Sequence, residues 1–205
     1  MKQYFDITQA TKANTVLQVC ANRCLEPDDV LKIGQSLLGS TYIYLPATSE
    51  NSVPLDAVFA GRYFSKAWVV YLNNIAPGEV LTCDVLGVVE DELLPGDSMI
   101  IRTGWSGHLG TPDIYNDKFP TIGADLAEWI VRKQVNTLLV DTPFLANVNY
   151  MPEFLEVYLA LAKGNVLTVC GAQNLDILNF PHVQLVIMPL KIKASNLSLV
   201  RAIAI

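Results

Sequence analysis

The chain carries few side chains suited to chemistry. It has four cysteines (Cys20, Cys24, Cys83 and Cys170) and two histidines (His108 and His182). A catalytic zinc or manganese site draws on two or three imidazoles converging with a carboxylate, so this histidine count is sparse for such a site. Cys20 and Cys24 lie four positions apart and would align on a helix, but two thiols alone make no zinc site, and no CxxC pair is present. All four cysteines read best as buried free thiols. Cys170 stands between a strand and Gly171, a setting that can expose a nucleophile. Thiol catalysis needs a base within hydrogen-bonding reach, and the buried-thiol reading is favoured. His108 sits in a glycine-rich stretch after Trp105, and His182 follows Pro181. A metal shared between them would need Asp113 or Asp117, and two solvated loop histidines are the simpler account. Asp141 precedes Thr142-Pro143. It is either a site carboxylate or, the favoured reading, a turn residue that caps Thr142 or holds the loop.

Composition narrows the partners. The 205 residues are 51% hydrophobic and 17% charged, with a formal net charge of −6. That is enough chain for one domain with a sizeable core. An acidic balance argues against nucleic acid and anionic membranes, both of which need a basic face. No apolar run reaches the roughly 18–20 residues that span a bilayer, and the N-terminal residues lack the apolar region of a signal peptide. The expectation is a cytoplasmic protein.

The elements that must position these groups follow from periodicity and turn chemistry. Residues 3–7 read as an opening strand. Thr41 to Thr48 reads as a short strand running into a proline turn, with Tyr42 and Tyr44 on one face because side chains alternate along a strand. Residues 26–29 suggest a turn or helix start, and 33–38 a strand or loop. A short helix is expected over 54–63, a strand over 67–72, a helix over 83–90 capped by Thr82, and a strand over 98–103 after the Leu94-Pro95-Gly96-Asp97 turn. Residues 104–120, with Gly104, Gly107, Gly110, Pro112 and Pro120, read as a long loop of the kind that forms a lid or pocket wall. Then come a helix from Gly123 with Leu126, Trp129 and Ile130 on its apolar face, and a buried strand over 135–141. A second helix is opened by Pro152 and stopped by Gly164, and strands follow over 166–169, 183–190 and 199–205. Strands alternating with helices in the second half imply an α/β domain with a mixed sheet.

An ordered set of motifs runs through the chain: Pro95-Gly96-Asp97, Arg102-Thr103-Gly104-Trp105, Asp141-Thr142-Pro143, Asn174-Leu175-Asp176, Pro189-Leu190-Lys191-Ile192 and Val200-Arg201-Ala202. It resembles the cyclase family of metal-dependent hydrolases, whose best-known members are bacterial kynurenine formamidases. The resemblance implies a single domain over 1–205 with a swivelling β/β/α fold, a mixed sheet flanked by helices. It also implies a homodimer or homotetramer, and hydrolysis of an amide or lactone-like bond by metal-bound water. The family signature H-x-G-T-H-x-D-x-P-x-H falls on Leu38 to Thr48. Thr41 and Pro46 match. Leu38, Tyr42 and Thr48 stand where histidines are expected, Tyr44 where the aspartate is expected, and Ser40 replaces a glycine. The later family histidine and glutamate fall on Tyr158 and Cys170, and the resemblance sets neither His108 nor His182 beside them.

The family's zinc or manganese ligands are thus replaced at Leu38, Tyr42, Tyr44 and Thr48, and no metal or other cofactor is expected. Tyrosine, with a pKa near 10, is a poor ligand at neutral pH. The replacements read either as a remodelled, metal-free pocket of Tyr42, Tyr44, Thr48, Tyr158, Cys170 and Trp105 that binds a small aromatic or lactone-like molecule, or, the favoured account, as packing that plugs the site. The leading expectation is a degenerate family member with a binding, structural or regulatory role. The alternative is a hydrolase with a rebuilt site using residues such as Asp56, Asp141, His108 or Glu153. A third reading is a subunit that pairs with an active paralogue.

Overall fold

The computed structural model describes residues 3–10, 38–48 and 53–205. The expectations for residues 26–29 and 33–37, and for Cys20 and Cys24, lie outside the described residues.

Ten strands are described: β1 (Phe5–Asp6), β2 (Tyr42–Tyr44), β3 (Phe64–Tyr71), β4 (Val80–Leu81), β5 (Ser98–Arg102), β6 (Thr121–Ile122), β7 (Thr137–Val140), β8 (Leu167–Cys170), β9 (His182–Pro189) and β10 (Leu197–Ala204). The helices are α1 (Val89–Glu92), α2 (Pro112–Asp117), α3 (Ala124–Arg132) and α4 (Met151–Lys163). Eight strands form one sheet in the order β1-β10-β2-β8-β7-β5-β3-β9, and β9 also pairs with β10. The sheet therefore closes on itself as a barrel, which removes its open edges. Strands β3, β5, β7 and β8 run parallel, and β2, β10 and β9 close the circuit antiparallel. The α/β fold with a mixed sheet is as expected.

Strand alternation splits the core in two. Ile43, Val69, Ile100, Leu139, Val169, Leu185, Ile187 and Ala202 fill the barrel. Tyr42, Tyr44, Val70, Met99, Ile101, Leu138, Val140 and Cys170 point outward into a second core with α3 and α4. Strands buried on both faces read as continuous apolar runs, as in Met99-Ile100-Ile101. Helix α3 buries Leu126, Ala127, Trp129 and Ile130, and α4 buries Phe154, Val157, Tyr158, Leu161 and Ala162. The sequence pattern sets Phe154, Leu155, Tyr158, Leu159 and Ala162 on the apolar face of α4; Leu155 is only half-buried and Leu159 exposed, and Val157 and Leu161 are buried in their place.

Three local expectations are corrected. Residues 104–120 are not an open loop. A 3-10 turn (Trp105–His108) and α2 form there because Trp105, Tyr115 and Phe119 are buried in the outer core, and burial of large rings overrides glycine and proline content. The helix expected over 54–63 is two 3-10 turns (Leu55–Ala57 and Ala60–Tyr63). The helix expected over 83–90 is a 3-10 turn (Cys83–Val85) followed by α1, and Thr82 caps no backbone N–H there.

Candidate functional site

Tyr42 and Cys170 face each other in the antiparallel β2–β8 register, as do Tyr44 and Thr168. Directly opposed residues hold their Cβ atoms about 4.5–5.5 Å apart, so the register alone brings the first tyrosine to the cysteine. Tyr44, two residues on, projects from the same face. Its ring stacks on Tyr42 (centroids 6.2 Å apart, planes at 25°) and on Tyr158 of α4 (6.3 Å, 4°). Phe154, one turn earlier on α4, stacks on Tyr158 at 5.7 Å, and Phe144 meets Tyr42 edge-on at 6.3 Å. Tyr42, Tyr44, Tyr158 and Cys170 are each at most 4% exposed. The cluster is closed to solvent.

Its polar atoms are spent internally. The Tyr42 hydroxyl donates to Pro143 O at 2.7 Å, and the Cys170 thiol lies within its hydrogen-bonding reach. The Tyr158 hydroxyl accepts from Ala47 N at 3.1 Å and reaches Ala47 O at 3.4 Å, clasping the turn after Pro46. Thr168 Oγ1 donates to Tyr44 O at 2.7 Å. Burial pushes the Tyr42 and Tyr44 phenols well above their ordinary range, with the neighbouring Cys170 adding to the rise. Burial also pushes the Cys170 thiol up to about 12. A group whose charged form is this disfavoured is protonated at neutral pH.

Gly171 shows how tightly the end of β8 is held. Its φ is +70°, and a Cβ there would lie 2.3 Å from Ser40 O. Thr41 Oγ1 donates to Gly171 O at 2.7 Å and accepts from Gln9 N at 2.6 Å. Leu38 is half-buried and packs against the aromatic core. Thr48 is half-buried at the end of the turn. Trp105 is buried in the same core, with Nε1 donating to Tyr115 O at 3.1 Å.

The remaining candidates lie apart from one another. Asp141 is fully buried and accepts from Thr103 N (3.1 Å), Thr103 Oγ1 (2.6 Å) and Gly104 N (2.8 Å). It therefore ties the ends of β7 and β5 together rather than capping Thr142. Burial raises its carboxyl above the ordinary value, against these bonds. Asp56 accepts from Ala194 N, and Glu153 from Thr121 Oγ1. His108 lies on Trp105 and His182 meets Trp68, so the two histidines sit on different rings. Cys83 is half-buried beside Asp125, not buried as expected.

The cyclase family model, described as "Putative cyclase", matches residues 5–146. The chain belongs to the cyclase family. Solved structures agree on its fold. A potential metal-dependent hydrolase with cyclase activity superposes with a TM-score of 0.73 at 15% identity, covering 98% of this chain and 96% of that one. Isatin hydrolase A from Labrenzia aggregata, bound to benzyl benzoate, gives 0.76 at 16% identity, covering 98% and 93%. An isatin hydrolase bound to the product analogue thioisatinate gives 0.70 at 20% identity, covering 80% and 70%. No curated protein sequence matches the chain significantly.

The family resemblance implies a divalent metal, and the described residues at the positions it assigns to the ligands do not fit one. Among the described residues no three His, Cys, Asp or Glu side chains gather where they could hold an ion. The side chains that converge where the resemblance sets the ligands, Tyr42, Tyr44, Tyr158 and Cys170, are phenols and a thiol, and burial disfavours the ionised forms of Tyr42, Tyr44 and Cys170, whereas zinc and manganese take deprotonated carboxylate or thiolate, or neutral imidazole. Among the described residues no helix is long and apolar enough to cross a membrane.

Proposed function

We propose that this chain is a cyclase-family protein that does without the family's metal and serves as a small-molecule-binding or structural and regulatory homologue. It acts in the cytoplasm as a homodimer or homotetramer, the assembly that the family resemblance implies. The observation that carries the reading is the stack of Tyr42, Tyr44 and Tyr158 over Cys170. It fills the space of the ligand positions with neutral, internally bonded groups. Water activation by a metal needs an ion with an open coordination position, and a buried cluster of protonated phenols and a thiol is a poor ligand set for one. The test is a metal count on untagged protein after dialysis against trace zinc and manganese, with hydrolysis of N-formylkynurenine measured on the same sample. The expected result is metal far below one ion per chain and no turnover. One ion per chain together with turnover overturns the reading.

A further inference from the structure

Between the end of β9 and the two 3-10 turns that precede β3 lies an apolar groove of about 280 Å³. Leu55 and Ile187 are buried beneath it, and Val58 and Tyr63 are partly buried in its wall. Phe64, 58% exposed, and the exposed Met188 also line it. Phe59 stands on its rim, since Val58 and Ala60 on either side both line the groove. It is 79% exposed. Its ring lies against Gly61, where a Cβ would come within 2.4 Å of Phe59 Cε1. A side chain there would displace the ring, so the glycine gives this large apolar group a seat on the surface.

An apolar face of this size calls for a partner. The two phenylalanines expose roughly 200–350 Å² between them, and Met188 extends the patch. That is the scale at which a contiguous apolar surface marks an interaction site, and a large part of the roughly 800 Å² that each partner buries in a stable pair. Strand β9 is bonded to β3 on one side and to β10 on the other, so no extended peptide can join it as a further strand. Contact there is made by side chains. The surface is complementary to itself, with a projecting ring beside a groove. A two-fold axis joins such a surface to its own copy, the Phe59 ring of each entering the groove of the other. Charge fits the same pairing. Asp56 lies on the 3-10 wall of the groove and Lys191 on the wall just past β9. The two charges balance, on a chain of net charge −6. Two copies therefore meet at a face that lacks the chain's overall repulsion, and the two-fold allows Lys191 of each to face Asp56 of the other.

We propose that the groove and the Phe59 ring form the contact between two copies of this chain, related by a two-fold axis. The proposal rests on the homo-oligomer of the reading above and names its surface. Sedimentation velocity of the full chain over a range of concentrations measures the pairing. The natural chain is expected to associate. Phe59→Glu is expected to weaken that association about thirtyfold or more, as for an aromatic anchor at the centre of an interface. Its far-ultraviolet circular dichroism is expected to match that of the natural chain, because the side chain is exposed. Val88→Glu is the control: it places the same charge at an apolar residue 72% exposed, at the start of α1, and should leave the association unchanged. Lys191→Glu is expected to weaken the pairing at low salt and to lose most of that effect at high salt, where the new like charges are screened. A natural chain that stays monomeric at every concentration overturns both this interface and the assembly in the reading above, and leaves the groove to a different partner. A natural chain that associates no more tightly than Phe59→Glu, or that Val88→Glu weakens as much, overturns the interface alone. The metal count decides the metal-free reading whichever of these results is found.

Discussion

At the scale of single residues, the aromatic cluster makes stability sensitive to alkaline pH. Burial pushes the Cys170 thiol up to about 12 in the folded chain, from about 8.5 for a free thiol, and the Tyr42 and Tyr44 phenols are displaced in the same direction. A group whose folded pKa is raised binds more protons in the folded than in the unfolded state between those two values, so stability falls as pH rises. The thiol's contribution is therefore complete below about pH 8.5 and is lost progressively toward pH 12. The tyrosines add their own loss above about pH 10. Urea midpoints measured from pH 8 to 11 are expected to drop more steeply for the natural chain than for Cys170→Ala. Equal slopes would show that burial does not hold the thiol neutral. Half of this cluster was legible in the sequence. Tyr42 and Tyr44 share a face because they are two apart on a strand, which needs no knowledge of the fold. Tyr158 and Cys170 are more than a hundred residues away, and only the ordered motifs of the family brought them in. The bonding of Asp141 to Thr103 and Gly104 crosses from β7 to β5, and no local turn pattern reveals such a partner.

At the scale of elements, a single arginine fastens one piece of the fold to two others. Arg62 lies in the 3-10 turn Ala60–Tyr63. Its Nε donates to Asn136 Oδ1 at 2.8 Å, and its Nη2 donates to Asn136 O at 3.2 Å and Asn165 O at 2.7 Å. These carbonyls belong to the connections entering β7 and β8, just after the C-terminal ends of α3 and α4, where chain-reversing residues Gln134 and Asn165 take positive φ. A cation close to two helix C-termini is favourable for their dipoles. Burial lowers the Arg62 pKa, yet the guanidinium stays charged. Arg62→Met keeps the stem and removes the donors, so the chain is expected to lose about 1–2 kcal/mol, a value kept low because the side chain is partly exposed. Urea unfolding measures the loss, and amide exchange is expected to quicken at the first residues of β7 and β8. The longer elements around this clasp, β3, β5, α3 and β9, were plain in the sequence because their periodicity extends over a turn or more. The 3-10 turns were not, because three or four residues carry too short a pattern, and the ring burial that shaped residues 105–117 is a tertiary effect.

At the scale of the whole molecule, β10 is the strand that closes the barrel. Its first residues pair with β2, its last with β1, and its other side with β9. These pairings join the chain's last described strand to its first, so they require contacts across nearly the full sequence. Such contacts gain their stabilisation only after a large loop-closure cost, and the barrel remains open until they form. Ala202 stands at the crossing. It is fully buried, lies in register with Ile187, donates its N–H to Thr8 Oγ1 at 2.9 Å, and accepts from Ile7 N at 3.1 Å and Thr8 Oγ1 at 3.1 Å. Ala202→Pro deletes the bond to Thr8 and places a ring at a fully buried position of a strand flanked by β9 and by residues 7–8, a substitution that central strands do not tolerate. The lost bond and the overpacking of a buried site are expected to cost about 2 kcal/mol or more, a large part of the stability of an ordinary domain. Proline at Leu190, an exposed residue just past the end of β9, serves as the control. Its N–H, like that of Ala202, donates to a side chain (Ser198 Oγ, 3.0 Å), but the residue is exposed and lies outside the ladder, so the substitution should cost far less. Cooperative urea unfolding followed by tryptophan fluorescence is expected to survive in Leu190→Pro and to be lost or strongly shifted in Ala202→Pro. Similar midpoints for the two would mean that barrel closure at β10 contributes little to holding this fold.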